Sequence, residues 1–114
     1  MVIDKPVEVT DSTILEFKEK YPLVAIDFWH SLYEPCKALL PVIDELAREY
    51  AGKCVFVKFN IGSPDPDLLK KYNIFYTSLL VVFKNGIFVE YLMGTRICRP
   101  SIIRYVLNYH LETN

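Results

Sequence analysis

The sequence predicts an α/β fold in which a mixed central β-sheet of about five strands is flanked by about four helices. The apolar pattern changes several times, in an orderly way, between the period of a strand and that of a helix. Leu23–Trp29 is a nearly continuous apolar run, which is typical of a central strand covered on both faces. Between two later apolar runs lies Asn85-Gly86, a strong signal for a two-residue β-hairpin turn.

In the first half of the chain, a short edge strand is predicted at Val7–Val9. A helix follows, with Thr13 and Glu16 as the two members of a capping box and Pro22 just beyond its end. After the central strand the period becomes helical again over 35–50. This second helix carries an apolar stripe formed by Cys36, Leu39, Leu40, Ile43, Leu46, Ala47 and Tyr50.

In the second half, strands are predicted at 54–59, 79–83 and 88–92, with a short helix at 65–72 before the hairpin. A last helix opens at Pro100, and its predicted buried face comprises Ile102, Ile103, Val106 and Leu107. This order predicts a βαβ arrangement with parallel pairing first, and then an antiparallel hairpin with a closing helix.

Composition limits the classes of protein that fit. The 114 residues suit a single domain over 1–114, and a hydrophobic fraction of 52% provides apolar material for one core. A net charge of −1 gives no electrostatic footprint for nucleic acid or for an anionic membrane surface. The N-terminus lacks a signal-peptide pattern and no apolar run approaches a membrane span, so we expect a cytoplasmic protein.

The cysteines are few and scattered. Cys36, Cys54 and Cys98 do not form a disulfide framework, and unpaired thiols are the expectation for Cys54 and Cys98. No C-x-x-C pair is present, and His30 and His110 are distant in sequence, so we expect neither a metal site nor a cofactor.

The chain resembles the thioredoxin family from about Thr10 to the C-terminus. Each motif is weak alone, but their order and spacing together are specific. They are Asp27-Phe28-Trp29, Pro35-Cys36-Lys37, Pro41, Phe83-Lys84-Asn85-Gly86 and Gly94. The resemblance implies the thioredoxin fold and a role in cell redox homeostasis through protein thiols.

Two catalytic elements of that family are altered here. Where thioredoxins carry Trp-Cys-Gly-Pro-Cys, this chain has Leu32-Tyr33-Glu34-Pro35-Cys36, so the resemblance places Tyr33 at the position of the attacking cysteine. The family's cis-proline falls on Ser78, preceded by Thr77. Because a cis bond before a non-proline residue costs about 2.5–4 kcal/mol, we expect a trans peptide there and a loop of different shape.

These changes restrict the chemistry that the resemblance implies. Disulfide exchange needs one thiolate to attack and a second to resolve, and the phenol of Tyr33 cannot replace the attacker. Two alternatives remain for Cys36: an inert, sheltered thiol, or a slow monothiol. In the family, the residue matching Asp27 is a buried acid/base that serves the second cysteine. Asp27 either keeps that role or is an inherited group satisfied by water or by Lys58.

Aromatic residues surround the former active site, a composition typical of protein contact surfaces. Three functions stay open: a non-catalytic binding module that uses the old substrate groove, an oxidoreductase of restricted scope through Cys36, and a subunit whose partner supplies the missing thiol. The expected partner is a protein or client polypeptide, with a homodimer through the Tyr33 face as a variant. The predicted contact residues are Trp29, Leu32, Tyr33, Phe75, Tyr76, Thr77, Ser78 and Gly94.

Overall fold

A five-stranded sheet forms the centre of the structure, a computed structural model that describes residues 3–10, 13–29, 34–60, 79–93 and 99–113. The strands are β1 (Val7–Val9), β2 (Leu23–Trp29), β3 (Val55–Asn60), β4 (Leu79–Lys84) and β5 (Ile87–Met93). The helices in these ranges are α1 (Ile14–Lys20), α2 (Glu34–Glu49) and α3 (Pro100–Glu112). The predicted helix at 65–72 lies outside the described residues.

The strands lie in the order β1-β3-β2-β4-β5. β3 pairs in parallel with both β1 and β2, whereas β4 pairs antiparallel with β2 and with β5. The predicted mixed sheet is therefore confirmed, with β2 at its centre. Six of the seven residues of β2 are buried, as its nearly continuous apolar run predicts.

Each face of the sheet has its own apolar core. On one face, α2 and α3 pack over the sheet through a cluster that includes Leu39, Leu46, Leu80, Leu92 and Ile103, all at most 1% exposed. On the other face, Phe17 and Tyr21 of the α1 region pack against a cluster of Val24, Ile26, Phe28, Val57, Phe59 and Leu79. Alternation along a strand sends successive side chains to opposite faces, which explains why adjacent residues of β2 enter different cores.

The hairpin between β4 and β5 has the predicted turn. Asn85 has a φ of 53° and Gly86 a φ of 81°, and positive values at both central positions define a type I′ turn. The amide of Asn85 donates a hydrogen bond to the carbonyl of Pro22 at 2.8 Å, which fixes the turn against the start of β2.

The predicted capping box at α1 is wrong. Thr13 is the N-cap residue, but its φ of −110° and ψ of −13° are helical, and its side chain makes no capping hydrogen bond in the described part of the chain. The Thr13 hydroxyl instead accepts a hydrogen bond from the amide of Thr10 at 3.0 Å. A threonine hydroxyl can hydrogen-bond to nearby backbone groups instead of capping the helix. The Thr13 hydroxyl bonds within the turn that precedes α1.

The C-terminal end of α3 is tied to the hairpin. The Lys84 ammonium donates hydrogen bonds to the carbonyl of His110 at 2.6 Å and to the carbonyl of Thr113. The imidazole of His110 also lies 3.0 Å from the carboxylate of Glu90 in β5. A cation at the last helical carbonyls favours the helix, so Lys84 stabilises the end of α3. No helix within the described ranges combines the length and the apolar character that a membrane span requires.

Candidate functional site

Among the residues that the structure describes, Asp27 is the one buried polar or charged residue. It is 0% exposed and lies in the carboxyl-terminal half of β2. Leu23 and Ala25 pack in the cluster beneath α2 and α3, so alternation along the strand directs Asp27 to that same face. A carboxyl group at this position is enclosed by the apolar core that α2 covers.

Neither carboxylate oxygen of Asp27 has a hydrogen-bond partner among the described residues. Lys58 lies directly opposite Asp27 in the pairing of β2 with β3, and directly opposed residues point to the same face of a sheet. Lys58 therefore acts on Asp27 as a neighbouring charge, without a direct hydrogen bond between their side chains in this structure. Lys58 is thus a neighbour of Asp27, as the sequence predicted, but it does not satisfy the carboxyl group through a hydrogen bond between the described side chains.

Burial raises the pKa of Asp27 from 3.8 to about 7, and the Lys58 ammonium opposes the rise only in part. An ionised carboxylate loses its hydration in an apolar interior, so desolvation dominates. With a pKa near 7, the carboxyl group exists in both protonation states at neutral pH. Asp27 can therefore accept or give up a proton under physiological conditions.

Trp29 ends β2 on the same face as Asp27, two residues further along the strand. The side chain is partly exposed, but its indole nitrogen Nε1 is buried and has no hydrogen-bond acceptor in the part of the chain described here. An indole N–H that is buried normally finds a partner. The sequence predicted the position of Trp29 but offered no signal for this unpaired donor.

Cys36 lies in the first turn of α2, whose helical span begins at Glu34. In a βαβ unit the helix starts beside the carboxyl end of the preceding strand, so this turn follows Trp29 at the same edge of the sheet. A helix N-terminus stabilises a thiolate. The side chains of residues 34–37 are outside the described part of the structure, so Cys36 is located here by its backbone alone.

Several predicted site residues lie outside the described residues, and their roles stay predictions. They are Leu32, Tyr33, Phe75, Tyr76, Thr77, Ser78 and Gly94, together with His30 and Cys98.

Cys54 does not belong to this site. It is 2% exposed and precedes β3, four residues before Lys58, whereas the candidate site lies toward the other end of that strand. Burial raises the pKa of the Cys54 thiol to about 12, so the group stays protonated at physiological pH. The thiol is unpaired, as expected.

A metal-binding group of three or more His, Cys, Asp or Glu side chains does not occur within the described ranges. There, the ionisable groups at the carboxyl end of β2 and β3 are Asp27 and Lys58, and a single buried carboxyl beside an ammonium suits proton transfer better than metal ligation.

The fold and site define a class of protein: an α/β domain with a mixed sheet, a buried acid in the central strand and a cysteine at the start of the next helix. The family model described as Thioredoxin matches residues 7–106, most of the chain. The chain belongs to the thioredoxin family. Members of this family are typically oxidoreductases, and they interact with protein substrates.

Individual relatives agree with this assignment. A thioredoxin of Buchnera aphidicola is 35% identical over 109 residues, which cover 93% of this chain and 95% of the relative. The chloroplastic M-type thioredoxin of Spinacia oleracea is 41% identical over 76% of this chain, but the match spans only 48% of that protein's length. A mutant thioredoxin of Halobacterium salinarum superimposes with a TM-score of 0.87 over 100% of this chain and 97% of that structure, at 21% identity, and so supports the fold.

Proposed function

We propose that this chain is a thioredoxin-like protein impaired in dithiol–disulfide exchange that binds protein partners through the former substrate groove. The observation that carries the proposal is Tyr33, which occupies the place of the attacking cysteine in the family's active-site motif. A phenol has a pKa of about 10 and no comparable chemistry toward sulfur. One cysteine alone cannot complete the two-step exchange within a single active site.

The binding role rests on the side chains that replace the catalytic groups. Leu32 and Tyr33 provide a large apolar pair beside Trp29, and Phe75 and Tyr76 precede the altered loop. Exposed apolar clusters are explained by a contact that covers them, and tyrosine is enriched at binding hot spots. The partly exposed Trp29 at the end of β2 supports a contact surface at this edge of the sheet. Thr77, Ser78 and Gly94 belong to the same proposed face.

A second candidate function is a monothiol oxidoreductase of restricted scope. Asp27 favours it, because a buried carboxyl group with a pKa of about 7 at the carboxyl end of β2 is suited to move a proton for a thiol on α2. In this version the Cys36 thiolate attacks a disulfide of a client protein, which releases one client thiolate and leaves a mixed disulfide. A thiolate supplied by a partner then attacks the Cys36 sulfur, releases the second client thiolate and takes over the disulfide bond to Cys36. A pure binding module has no evident need for Pro35, Cys36 and Asp27 together.

We place the protein in the cytoplasm as one domain over residues 1–114, without a cofactor. The proposal of one domain follows from the length and the apolar composition of the given sequence.

A substitution at Tyr33 tests the binding role. A partner retained from an extract of the source organism by the immobilised chain is identified and purified, and its affinity is measured for the wild type and for Tyr33→Ala. We expect the substitution to weaken binding, or to dissociate a homodimer, by about 2 kcal/mol or more, while the thermal midpoint stays unchanged. The matched control is Tyr105→Ala, since Tyr105 is 74% exposed on α3. A lower thermal midpoint with unchanged affinity would show that Tyr33 fills space and does not bind.

A further inference from the structure

β5 forms one edge of the sheet, and among the described strands only β4 pairs with it. Its sequence, Ile87–Met93, contains a single charged residue, Glu90, and neither lysine nor proline. Natural edge strands are usually protected by lysine, proline or short length, because their open backbone groups can pair with another strand. The seven-residue β5 lacks those three protections.

Apolar side chains flank this edge on the sheet face that α1 covers. Phe88 is 52% exposed and Tyr91 50%. Phe88 stacks on Tyr91 with ring centroids 6.1 Å apart, and it also contacts Phe83 edge-to-face at 6.3 Å. Phe88 and Tyr91 lie opposite Phe83 and Val81 of β4, both of which belong to the core on that face. The rings therefore form a continuous apolar surface beside the open edge.

The opposite face of the edge combines a polar contact with exposed apolar side chains. His110 of α3 contacts Glu90, and Tyr109 packs edge-to-face on His110 with centroids 5.0 Å apart. Tyr109 is 54% exposed, and Ile87, which pairs with Lys84 on this face, is 68% exposed. Because Glu90, the one charged residue of β5, contacts His110, the strand itself presents no unmatched charge to which a charged partner would be drawn.

We propose that the β5 edge is a dimerisation surface, and that its occupant is a second copy of this chain paired strand to strand. An antiparallel twofold pairing joins the same surface of each copy. It brings the aromatic face of one copy beside that of the other, and aromatic cross-strand pairs stabilise such contacts. A second copy thus supplies backbone groups that pair with the open edge of β5, and aromatic side chains that pack against those beside it.

The area indicates a reversible dimer. Ile87, Phe88, Tyr91 and Tyr109 together expose on the order of 400 Å², if a large side chain contributes ~150–250 Å² when fully open. A standard interface buries about 800 Å² per partner, so these side chains supply about half of that area and indicate a weak dimer. We expect dissociation in the micromolar range.

The hairpin end of this surface is distant from the proposed binding face, whereas Met93, at the other end of β5, directly precedes Gly94 of that face. The hairpin end of β5 lies beside Lys84, which pairs with Leu23 at the start of β2, whereas Trp29 ends that strand. The six steps from Leu23 to Trp29 span roughly 20 Å of strand. Dimerisation through the hairpin end of β5 therefore leaves the face around Tyr33 available, and the inference does not rest on the proposed function.

Sedimentation velocity of the full chain over a wide micromolar concentration series tests the proposal. We expect a monomer–dimer equilibrium that Tyr91→Lys and, separately, Ile87→Lys each weaken by about tenfold or more. Ser101→Lys is the matched control, because it adds the same charge at an exposed position in the first turn of α3 and should leave dimerisation unchanged. Thermal unfolding verifies that each variant is folded.

Hydrogen exchange gives an independent test that needs no variant. The amides of β5 should become more protected as the concentration of the wild type rises, while those of β1, at the other edge, should not. A wild type that stays monomeric throughout the series would overturn the proposal. So would a dimer that withstands both β5 substitutions or that only Tyr33→Ala dissociates.

Discussion

Asp27 and Lys58 lie directly opposite each other on the two central parallel strands, β2 and β3, and on the face that α2 and α3 cover. The Lys58 ammonium attracts an ionised Asp27 and lowers its pKa, yet burial still raises that pKa to about 7. The pair therefore costs the fold some stability whenever Asp27 is ionised.

Replacing Asp27 with asparagine should change how stability depends on pH. In the wild type the folded-state pKa of about 7 lies above the unfolded value of 3.8, so the native state binds the proton more tightly. The stabilising effect of the protonated group is complete below pH 3.8 and is lost as pH rises through 7. Across this pH range, the contribution of Asp27 to the free energy of unfolding changes by roughly 4 kcal/mol. Urea unfolding of Asp27→Asn at several pH values should show a flatter profile and greater stability than the wild type at pH 8.

If the free energy of unfolding of Asp27→Asn depends on pH as steeply as that of the wild type, the pH dependence belongs to other groups. Glu90→Gln is a suitable control, because Glu90 is a partly exposed carboxylate beside His110 and is remote from Asp27 in the sheet.

Substituting Lys58 with methionine should raise the pKa of Asp27 further. The Lys58 ammonium lowers that pKa, and methionine keeps much of the aliphatic length without the charge. Titration of the Asp27 carboxyl carbon by NMR measures the effect directly. Lys53→Met, on the exposed turn before β3, is the matched control. A titration midpoint of Asp27 that is unchanged or lower in Lys58→Met would show that the Lys58 ammonium does not lower the pKa of Asp27.

The sequence was sufficient for most of the fold because the apolar periods are clear. The strand Leu23–Trp29 agrees with its apolar run, and α2 begins and ends one residue earlier than the predicted range. The N-terminus of α1 was predicted wrongly, since a hydroxyl such as that of Thr13 can satisfy either the helix or the turn before it, and spacing alone does not decide.

The site was predictable to a smaller extent. A carboxylate in the middle of an apolar strand indicated the burial of Asp27. Its position on the side of α2 emerged only from the structure, where Leu23 and Ala25 of the same strand pack beneath that helix. Contacts between distant parts of the chain had no local signal. Lys84 reaches His110 across 26 residues, and Glu90 meets His110 across 20. Such pairs depend on how the helices pack over the sheet, which residue patterns do not specify.

The Cys54 thiol should resist labelling in the native protein. It is 2% exposed and its pKa is raised to about 12 by burial, so almost no thiolate forms at pH 8. Treatment with a maleimide followed by peptide mass spectrometry should leave Cys54 unmodified in buffer and modify it fully in denaturant. Rapid native labelling of Cys54 would contradict its placement in the core.

Insulin disulfide reduction with NADPH and a thioredoxin reductase tests the central claim most directly. Because Tyr33 stands where the family carries its attacking thiol, we expect the wild type to give no turnover above the rate without the protein. Tyr33→Cys should restore part of the activity, and only part, because Glu34 and Ser78 also differ from the family pattern. Adding Cys36→Ser to that variant should abolish the gain. Turnover by the wild type at the rate of an ordinary thioredoxin, lost in Cys36→Ser, would contradict the account.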